Sequence, residues 1–169
     1  YFNKLTNYFV FLKVRIYFMN YLLISHRGNL SGPDKLFENN PSHIEKNVLP
    51  KYDCEIDLRY NDKNKTFYLG HDTFEHKITL NWLLEFKDKL WVHCKDFQSL
   101  NYLLNRGVDL NYFWHQKDDF TLTSKNFIWT YPNINNYGNK SIIVNLGRKI
   151  PKGDYLGVCS DYVDLMSFE

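Results

Sequence analysis

The chain has 169 residues, of which 44% are hydrophobic and 18% aromatic, and its formal net charge at pH 7 is +2. That apolar content excludes an intrinsically disordered protein, which lacks the apolar surface needed to offset the entropy lost on ordering. The near balance of 21 basic and 19 acidic residues lacks the positive field of a nucleic-acid-binding protein, so we expect no nucleic acid among the partners.

The N-terminal stretch 1–18 begins without Met, and Met19 opens the next apolar run. The apolar block 8–12 is followed by basic residues and falls short of the ~20 apolar residues that a membrane-spanning helix requires. Two interpretations remain, a translated extension that is not native or an amphipathic segment on a membrane surface. We therefore expect no firm membrane anchor and a single compact domain over 19–169.

The three cysteines are widely spaced, lie in apolar runs and form no CxxC pair. This pattern predicts buried reduced thiols rather than a zinc knuckle or a disulfide framework. It favours a reducing compartment, and we expect a cytoplasmic location.

Seven short apolar runs bounded by turn-forming residues are predicted to be strands. They are Tyr21–Ser25, Cys54–Leu58, Leu90–Cys94, Tyr112–His115, Phe127–Thr130, Ser141–Val144 and Gly157–Cys159. Between them, three helices are predicted from capping residues: Ser42 before a helix that Pro50 ends, Thr79 before 80–86, and Asp96 before 97–106.

The alternation of strands and helices predicts an α/β fold with a parallel sheet. A complete (β/α)₈ barrel takes about 250 residues, and its helices need more chain than remains after Met19. We therefore expect a reduced or incomplete TIM (β/α) barrel whose helices are shortened or missing in the C-terminal half.

Two carboxylates, Glu55 and Asp57, lie two residues apart in the predicted strand DCEIDL. Side chains alternate along a strand, so both carboxylates project to one face and the apolar residues project to the other. Buried carboxylates need compensation, which a hard cation such as Mg²⁺ or Ca²⁺ provides. The alternative is a surface strand whose carboxylates pair with Arg59 or Lys51.

The strand LWVHCKD repeats this pattern, with His93 and Lys95 on a common face. If that face is the interior, His93 could approach the ion and Lys95 could neutralise phosphate charge. The alternative for His93 is a hydrogen-bonded core residue.

Two further histidines follow β-like runs, His26 in LLISHRG and His71 in FYLGHD. The carboxyl ends of parallel strands converge on one edge, where barrel enzymes place their sites. Imidazole titrates near neutral pH, so we expect His26 and His71 to act as general acid and base. The planar guanidinium of Arg27 suits phosphate oxygens.

These motifs resemble those of the glycerophosphodiester phosphodiesterase family. The matching residues, in order, are His26-Arg27-Gly28, Glu38-Asn39, Glu55-Ile56-Asp57 and His71-Asp72. The clear resemblance covers 22–72, and only 90–96 and 157–165 suggest it beyond that.

The resemblance implies a TIM-barrel phosphodiesterase with one divalent cation bound by the E-x-D carboxylates and with two catalytic histidines. It also implies that Arg27 contacts the phosphate and that Glu38 lies close to the same site. One departure stands out, because His93 occupies the position of the family's third carboxylate ligand. This change favours Mn²⁺ or Zn²⁺ over Ca²⁺.

The expected activity is hydrolysis of a small phosphodiester, a glycerophosphodiester, to an alcohol and a phosphomonoester, which is a reaction of lipid metabolism. Trp129, together with Trp114 and Tyr131, is expected at the pocket mouth against the substrate; the alternative for these aromatic residues is core packing. One alternative is a phospholipase D-like lyase acting on lysophospholipid or sphingomyelin. The other is a degenerate barrel that binds a phosphorylated ligand without turnover. The oligomeric state is left open.

Overall fold

The computed structural model describes residues 21–134 and 137–168, so the N-terminal stretch 1–18 lies outside the described residues. The described strands are β1 Leu22–His26, β2 Asp53–Asn61, β3 Thr66–Leu69, β4 His76–Ile78, β5 Leu90–Cys94, β6 Asn111–Phe113, β7 Phe120–Leu122, β8 Ile128–Thr130, β9 Ser141–Val144, β10 Lys149–Ile150, β11 Gly157–Ser160 and β12 Ser167–Phe168. Each of the seven predicted strands has a counterpart among them. The β-like run before His71 is β3, but its hairpin with β4 and the short strands β7, β10 and β12 were not predicted.

The described helices are short: α1 Pro41–His43, continued by a π-helical turn Ile44–Val48, then α2 Leu80–Glu85, α3 Phe97–Asn105 and a 3₁₀ turn Val163–Leu165. Two of the predicted caps are confirmed, because Thr79 accepts from Trp82 N and Asp96 accepts from Ser99 N. The Ser42 cap is wrong. Asn40 caps α1 instead, and proline at the first helical position favours that earlier start.

Seven strands run parallel in the order β6–β5–β2–β1–β11–β9–β8. Their register sets side chains of neighbouring strands next to one another. His26 lies opposite Glu55, and Asp57 lies opposite His93. Residues that are far apart in the chain therefore meet where the carboxyl ends of β1 and β5 lie beside the middle of β2.

The predicted reduced TIM barrel is wrong, because the chain forms a mixed sheet that curls into a half-barrel with few short helices. Strands β3, β4 and β7 add antiparallel ladders, which a (β/α) barrel lacks. Among the described strands, β6 pairs only with β5 and β7 only with β8, so their ladders do not close the sheet. The connection 131–140 has ten residues, fewer than the dozen or more that a parallel crossover usually needs, and 145–156 has twelve but contains the short strand β10 in place of a helix.

The two faces of the half-barrel bury different apolar clusters. On the convex face, Ile56, Leu58 and Val92 pack with Leu83 of α2 and Leu103 of α3. On the concave face, a second cluster fills the half-barrel below the site; its buried members are Ile24, Trp91, Phe113, Trp129, Ile142, Val144 and Cys159. The helices thus cover the β2–β5 region, and aromatic side chains fill the interior.

The three cysteines Cys54, Cys94 and Cys159 are free and buried, as predicted. Within residues 21–134 and 137–168, the helices are all too short or too polar to cross a membrane.

Candidate metal and substrate site

Glu55, Asp57 and His93 form a cluster that could hold a metal ion. Each offers one ligand atom, and the three atoms lie within 4.8 Å of one another. Both carboxylates are buried on the concave face of β2, while Cys54 and Ile56 point to the helix-covered side. The alternation of strand side chains thus produces the pairing that the sequence predicts.

The hydrogen bonding of His93 fixes which ring nitrogen faces the carboxylates. Nε2 lies 2.8 Å from the carbonyl oxygen of His115, and a carbonyl only accepts, so Nε2 carries the proton. Nδ1 lies 3.6 Å from both Glu55 Oε1 and Asp57 Oδ1. In the neutral ring, a lone pair on Nδ1 therefore points at two carboxylate oxygens, an arrangement that a bound cation stabilises.

The environment of Asp57 supports the same conclusion. Asn39 donates to Asp57 Oδ2 at 2.9 Å and accepts from the Asp57 backbone N–H at 2.9 Å, so the carboxylate is held in one orientation. Asp57 Oδ1 is buried and has no hydrogen-bond partner among the described residues. A buried carboxylate oxygen that accepts no hydrogen bond is costly; the ammonium group of Lys95 lies 3.8 Å from it, and a metal ion ligated by this oxygen would complete its neutralisation.

Glu55 remains ionised at neutral pH. Burial acts to raise its pKa, but contact with His93 and the charges of His26 and Arg27 lower it to about 2. The backbone N–H of Arg27 also donates to Glu55 Oε2 at 3.2 Å. Glu55 thus offers an anionic ligand oxygen at pH 7, next to Asp57 Oδ1 and His93 Nδ1.

His26 is held at the edge of this cluster by Asp161 from the loop after β11. His26 Nδ1 donates to Asp161 Oδ1 at 2.8 Å, which leaves Nε2 facing Glu55 at 3.9 Å. Burial lowers the pKa of His26, but the hydrogen bond to Asp161 and the charge of Glu55 outweigh burial and raise it above 6.5. Asn29 donates to the same Asp161 oxygen at 2.8 Å and so fixes the orienting carboxylate.

His71 has a similar partner on its own loop. Its Nδ1 lies 2.7 Å from Asp72 Oδ1, and this hydrogen bond lowers the pKa of Asp72. Arg59 of β2 donates Nε to the carbonyl oxygen of Gly70 at 3.0 Å and Nη2 to the carbonyl oxygen of His71. The predicted alternative, in which Arg59 pairs with Glu55 or Asp57, is therefore not what the structure has; Arg59 fixes the His71 loop.

The basic residues of the site lie beside Asp57. Arg27 Nε is 3.0 Å from Asp57 Oδ2, and Lys95 Nζ is 3.8 Å from Asp57 Oδ1. Glu38 lies on the outer side of Arg27, with Oε2 3.8 Å from Nη1, and accepts from Asn29 at 3.2 Å. Glu38 thus supports Arg27 and lines a neighbouring cavity rather than the cavity that holds the cluster.

A cavity of about 430 Å³ brings most of the predicted site residues together. One side carries the charged and titratable groups, including His26, Glu55, His71 and Lys95. The other side is apolar and is formed by Trp114, Trp129, Tyr131, Val144 and Leu146. Trp129 is itself buried and stacks on Phe113 with ring centroids 4.7 Å apart, so it is both core and cavity wall.

Sequence reasoning assigned no role to three residues that shape the site, namely Asn39, His115 and Asp161. The Glu-Asn dipeptide and the apolar run before Asp161 are recognisable in the sequence. Neither indicates which residue Asn39 or Asp161 bonds. His115 belongs to no motif in the sequence, yet its carbonyl fixes His93 and its side chain lines the cavity.

Comparison with family models, with curated proteins and with solved structures finds no match to this chain.

Proposed function

We propose that the protein is a metal-dependent phosphodiesterase that hydrolyses a small phosphodiester, a glycerophosphodiester, to an alcohol and a phosphomonoester. The observation that carries this proposal is one cavity lined by Glu55 and His93 of the cluster that could hold a cation, and by two imidazoles, each bonded at Nδ1 to a carboxylate. The motif resemblance to glycerophosphodiester phosphodiesterases adds to it.

The donor set supports a single divalent cation. Carboxylate oxygens suit Mg²⁺, Ca²⁺ and Mn²⁺, whereas an imidazole nitrogen adds affinity for Mn²⁺ or Zn²⁺. When bound at Glu55, Asp57 and His93, such an ion supplies Lewis-acid neutralisation of a phosphate oxygen. We propose Mg²⁺ or Ca²⁺ as the native cation, with Mn²⁺ and Zn²⁺ as the competing candidates that a titration separates.

The two imidazoles supply the proton transfers. His26 carries its Nδ1 proton toward Asp161, so neutral Nε2 can accept the proton of a water that attacks phosphorus. The bond from phosphorus to the leaving oxygen breaks, and His71, starting as the imidazolium with Nδ1 held by Asp72, gives that oxygen its Nε2 proton, which yields the free alcohol. Asp161 stabilises the imidazolium formed on His26, as an orienting carboxylate does in a hydrolytic triad.

Arg27 and Lys95 bind the phosphate. Each is already within 4.0 Å of an Asp57 oxygen, so both cations lie beside the cluster before the substrate arrives. A prearranged positive charge stabilises a developing phosphorane charge without reorganisation during the reaction.

The test is an assay of glycerophosphocholine hydrolysis by the full chain in each of the four cations. We expect metal-dependent release of glycerol phosphate, abolished in His26→Ala and His71→Ala and retained in the control variant His76→Ala on β4. Equal turnover in His26→Ala and wild type would contradict the proposal.

The same assay distinguishes the alternatives. A cyclic phosphate product from lysophosphatidylcholine or sphingomyelin, detected by phosphorus NMR, would indicate a lyase in place of a hydrolase. Metal-dependent binding of glycerol phosphate without turnover of any of these diesters would indicate a phosphoryl-ligand-binding protein.

A further inference from the structure

The side chain of His115 lines the cavity but has no part in the proposed reaction. His26, His71 and His93 line the same cavity and have roles there as base, acid and ligand. His115 is buried, with 8% of the residue exposed, and its ring forms part of the cavity wall. A buried imidazole needs hydrogen-bond partners for both of its nitrogens.

One of the two nitrogens of His115 is bonded to the main chain. Nε2 bonds the carbonyl oxygen of Asp118, and because a carbonyl only accepts, Nε2 carries the proton. In the neutral ring Nδ1 is then an acceptor, and it has no hydrogen-bond partner within the part of the chain that the structure describes. Since the ring lines the cavity, the partner that Nδ1 lacks is a molecule bound in the cavity.

The neighbours of His115 set the size and character of that molecule. The ring centroid of His115 lies 6.4 Å from that of His93 and 5.6 Å from that of Tyr131. Trp114 and Trp129 line the same cavity and add apolar ring surface. A molecule with its phosphate at the cluster therefore needs only a short carbon chain to reach His115. The aromatic rings suit that chain, while Nδ1 accepts only from an O–H or N–H group.

We propose that His115 is a specificity-determining residue whose Nδ1 accepts a hydrogen bond from a free hydroxyl group of the ligand's alcohol part. This role rests on the proposed function, which takes the phosphate to lie at the cluster. A site with a buried acceptor rejects an analogue that lacks the donor, because the acceptor is then left unpaired. The cavity thus selects phosphate esters of a small polyol over esters of a plain alkyl alcohol. Arg27 and Lys95 line the same cavity, and their positive charges disfavour an ammonium donor.

The first experiment measures binding of two matched esters to the full chain by isothermal titration calorimetry in Mn²⁺. Glycerol 3-phosphate and propyl phosphate have the same three-carbon chain, but only the first carries hydroxyl groups. We expect wild type to bind glycerol 3-phosphate about tenfold more tightly, which is the effect of one hydrogen bond to a buried acceptor. Ethanolamine phosphate is the third probe, and we expect it to bind more weakly than glycerol 3-phosphate.

Two variants at position 115 separate the acceptor from the ring. His115→Phe retains an aromatic ring without an acceptor, and we expect its preference to fall to within about twofold. His115→Asn can place a carbonyl oxygen where Nδ1 lies, so we expect the preference to be retained. The control His76→Phe makes the same exchange on β4 and should bind both esters like wild type. Thermal unfolding checks that each variant is folded.

Three outcomes would overturn the proposal. Equal affinity of wild type for the two esters would do so whether or not the variants fold. A full preference in folded His115→Phe would assign the selection to another residue. Tighter binding of ethanolamine phosphate than of glycerol 3-phosphate by wild type would assign an ammonium donor to the site in place of a hydroxyl group.

The second experiment compares kcat/KM for glycerophosphocholine and for propyl phosphocholine. We expect a ratio of about ten in wild type and in His76→Phe, and a ratio near one in His115→Phe. Binding of the two phosphomonoesters needs no turnover. A preference in binding without hydrolysis of either diester contradicts the phosphodiesterase but not the role of His115, whereas hydrolysis of both diesters at equal kcat/KM contradicts only the role of His115.

Discussion

The carbonyl oxygen of His115 accepts the Nε2 proton of His93 at 2.8 Å, and this one bond turns Nδ1 of His93 toward Glu55 and Asp57. A backbone carbonyl cannot donate, so the orientation of the ring does not depend on which side chain occupies position 115. The third ligand atom of the cluster is therefore set by main-chain geometry after β6.

The cluster predicts that metal binding stabilises the fold through Asp57. We expect Asp57→Asn to weaken Mn²⁺ binding, measured by isothermal titration calorimetry, by more than about tenfold, because one anionic ligand oxygen is lost. Asp62→Asn, in the exposed turn after β2, is the matched control and should leave the affinity unchanged. If wild type and Asp57→Asn gave the same Kd and the same gain in Tm on adding Mn²⁺, the ion would bind elsewhere.

The His26–Asp161 pair predicts a pH dependence in the metal-free protein. The His26 pKa is raised above 6.5, so the pair contributes stability that is fully present below pH 6.5 and is lost as pH rises through the folded-state pKa. Asp161→Asn removes a cause of the shift, and we expect NMR titration of the His26 ring to report a lower pKa in that variant. An unchanged titration curve would contradict the role given to Asp161, and Asp164→Asn, on the 3₁₀ turn, serves as the control.

Because Arg59 holds the His71 loop, we expect its replacement to lower kcat without loss of metal binding. Lysine retains the charge but cannot reach two carbonyl oxygens with a rigid fork, so Arg59→Lys should leave the His71 loop less well positioned. We expect kcat to fall by about tenfold or more while Mn²⁺ affinity is retained, since small displacements of a catalytic group are costly. The control Arg106→Lys, at the end of α3, should leave kcat unchanged. Equal kcat in wild type, Arg59→Lys and Arg106→Lys would contradict this role of Arg59.

The backbone at position 70, just before His71, leaves no room for a side chain. Its φ is +150°, and a Cβ built there would lie 2.3 Å from the carbonyl oxygen of Thr73. We expect Gly70→Ala to lower the free energy of unfolding by about 1–3 kcal/mol, measured by urea denaturation, because the strained loop must shift. A Cβ at Gly138 meets no atom within 4 Å, so Gly138→Ala should cost far less. Equal losses in the two variants would show that the loop tolerates a side chain.

The strands and the carboxylate face could be predicted because alternation along a strand is a local property. Glu55 and Asp57 share a face whatever pairs with β2. The orientation of neighbouring strands is not local, and this is why the antiparallel hairpin β3–β4 and the open half-barrel were missed. Turn residues such as Lys65, at φ +54°, signal a reversal of the chain only once the register is known.

The bonding partners of the site could not be predicted either. Asp161 reaches His26 across 135 residues of chain, and Asn39 reaches Asp57 through a loop of irregular backbone. Asn39 has a positive φ of 56°, which asparagine tolerates better than most residues but which no periodicity in the sequence announces. Ser42 likewise fitted a capping pattern, but the helix starts earlier, with Asn40 as its cap and Pro41 at its first position.

Strand β1 pairs with β11, with Leu22 beside Gly157, so the first described strand obtains one of its two neighbours only from the far end of the chain. On a translating ribosome the N-terminal strands emerge long before this neighbour, and β1 must wait with one edge unpaired. Contacts of such long sequence separation slow folding. The site is therefore completed last. We expect nascent chains that end before Asp161 to form β2, β5 and the helices packed on them, while His26 is not yet oriented.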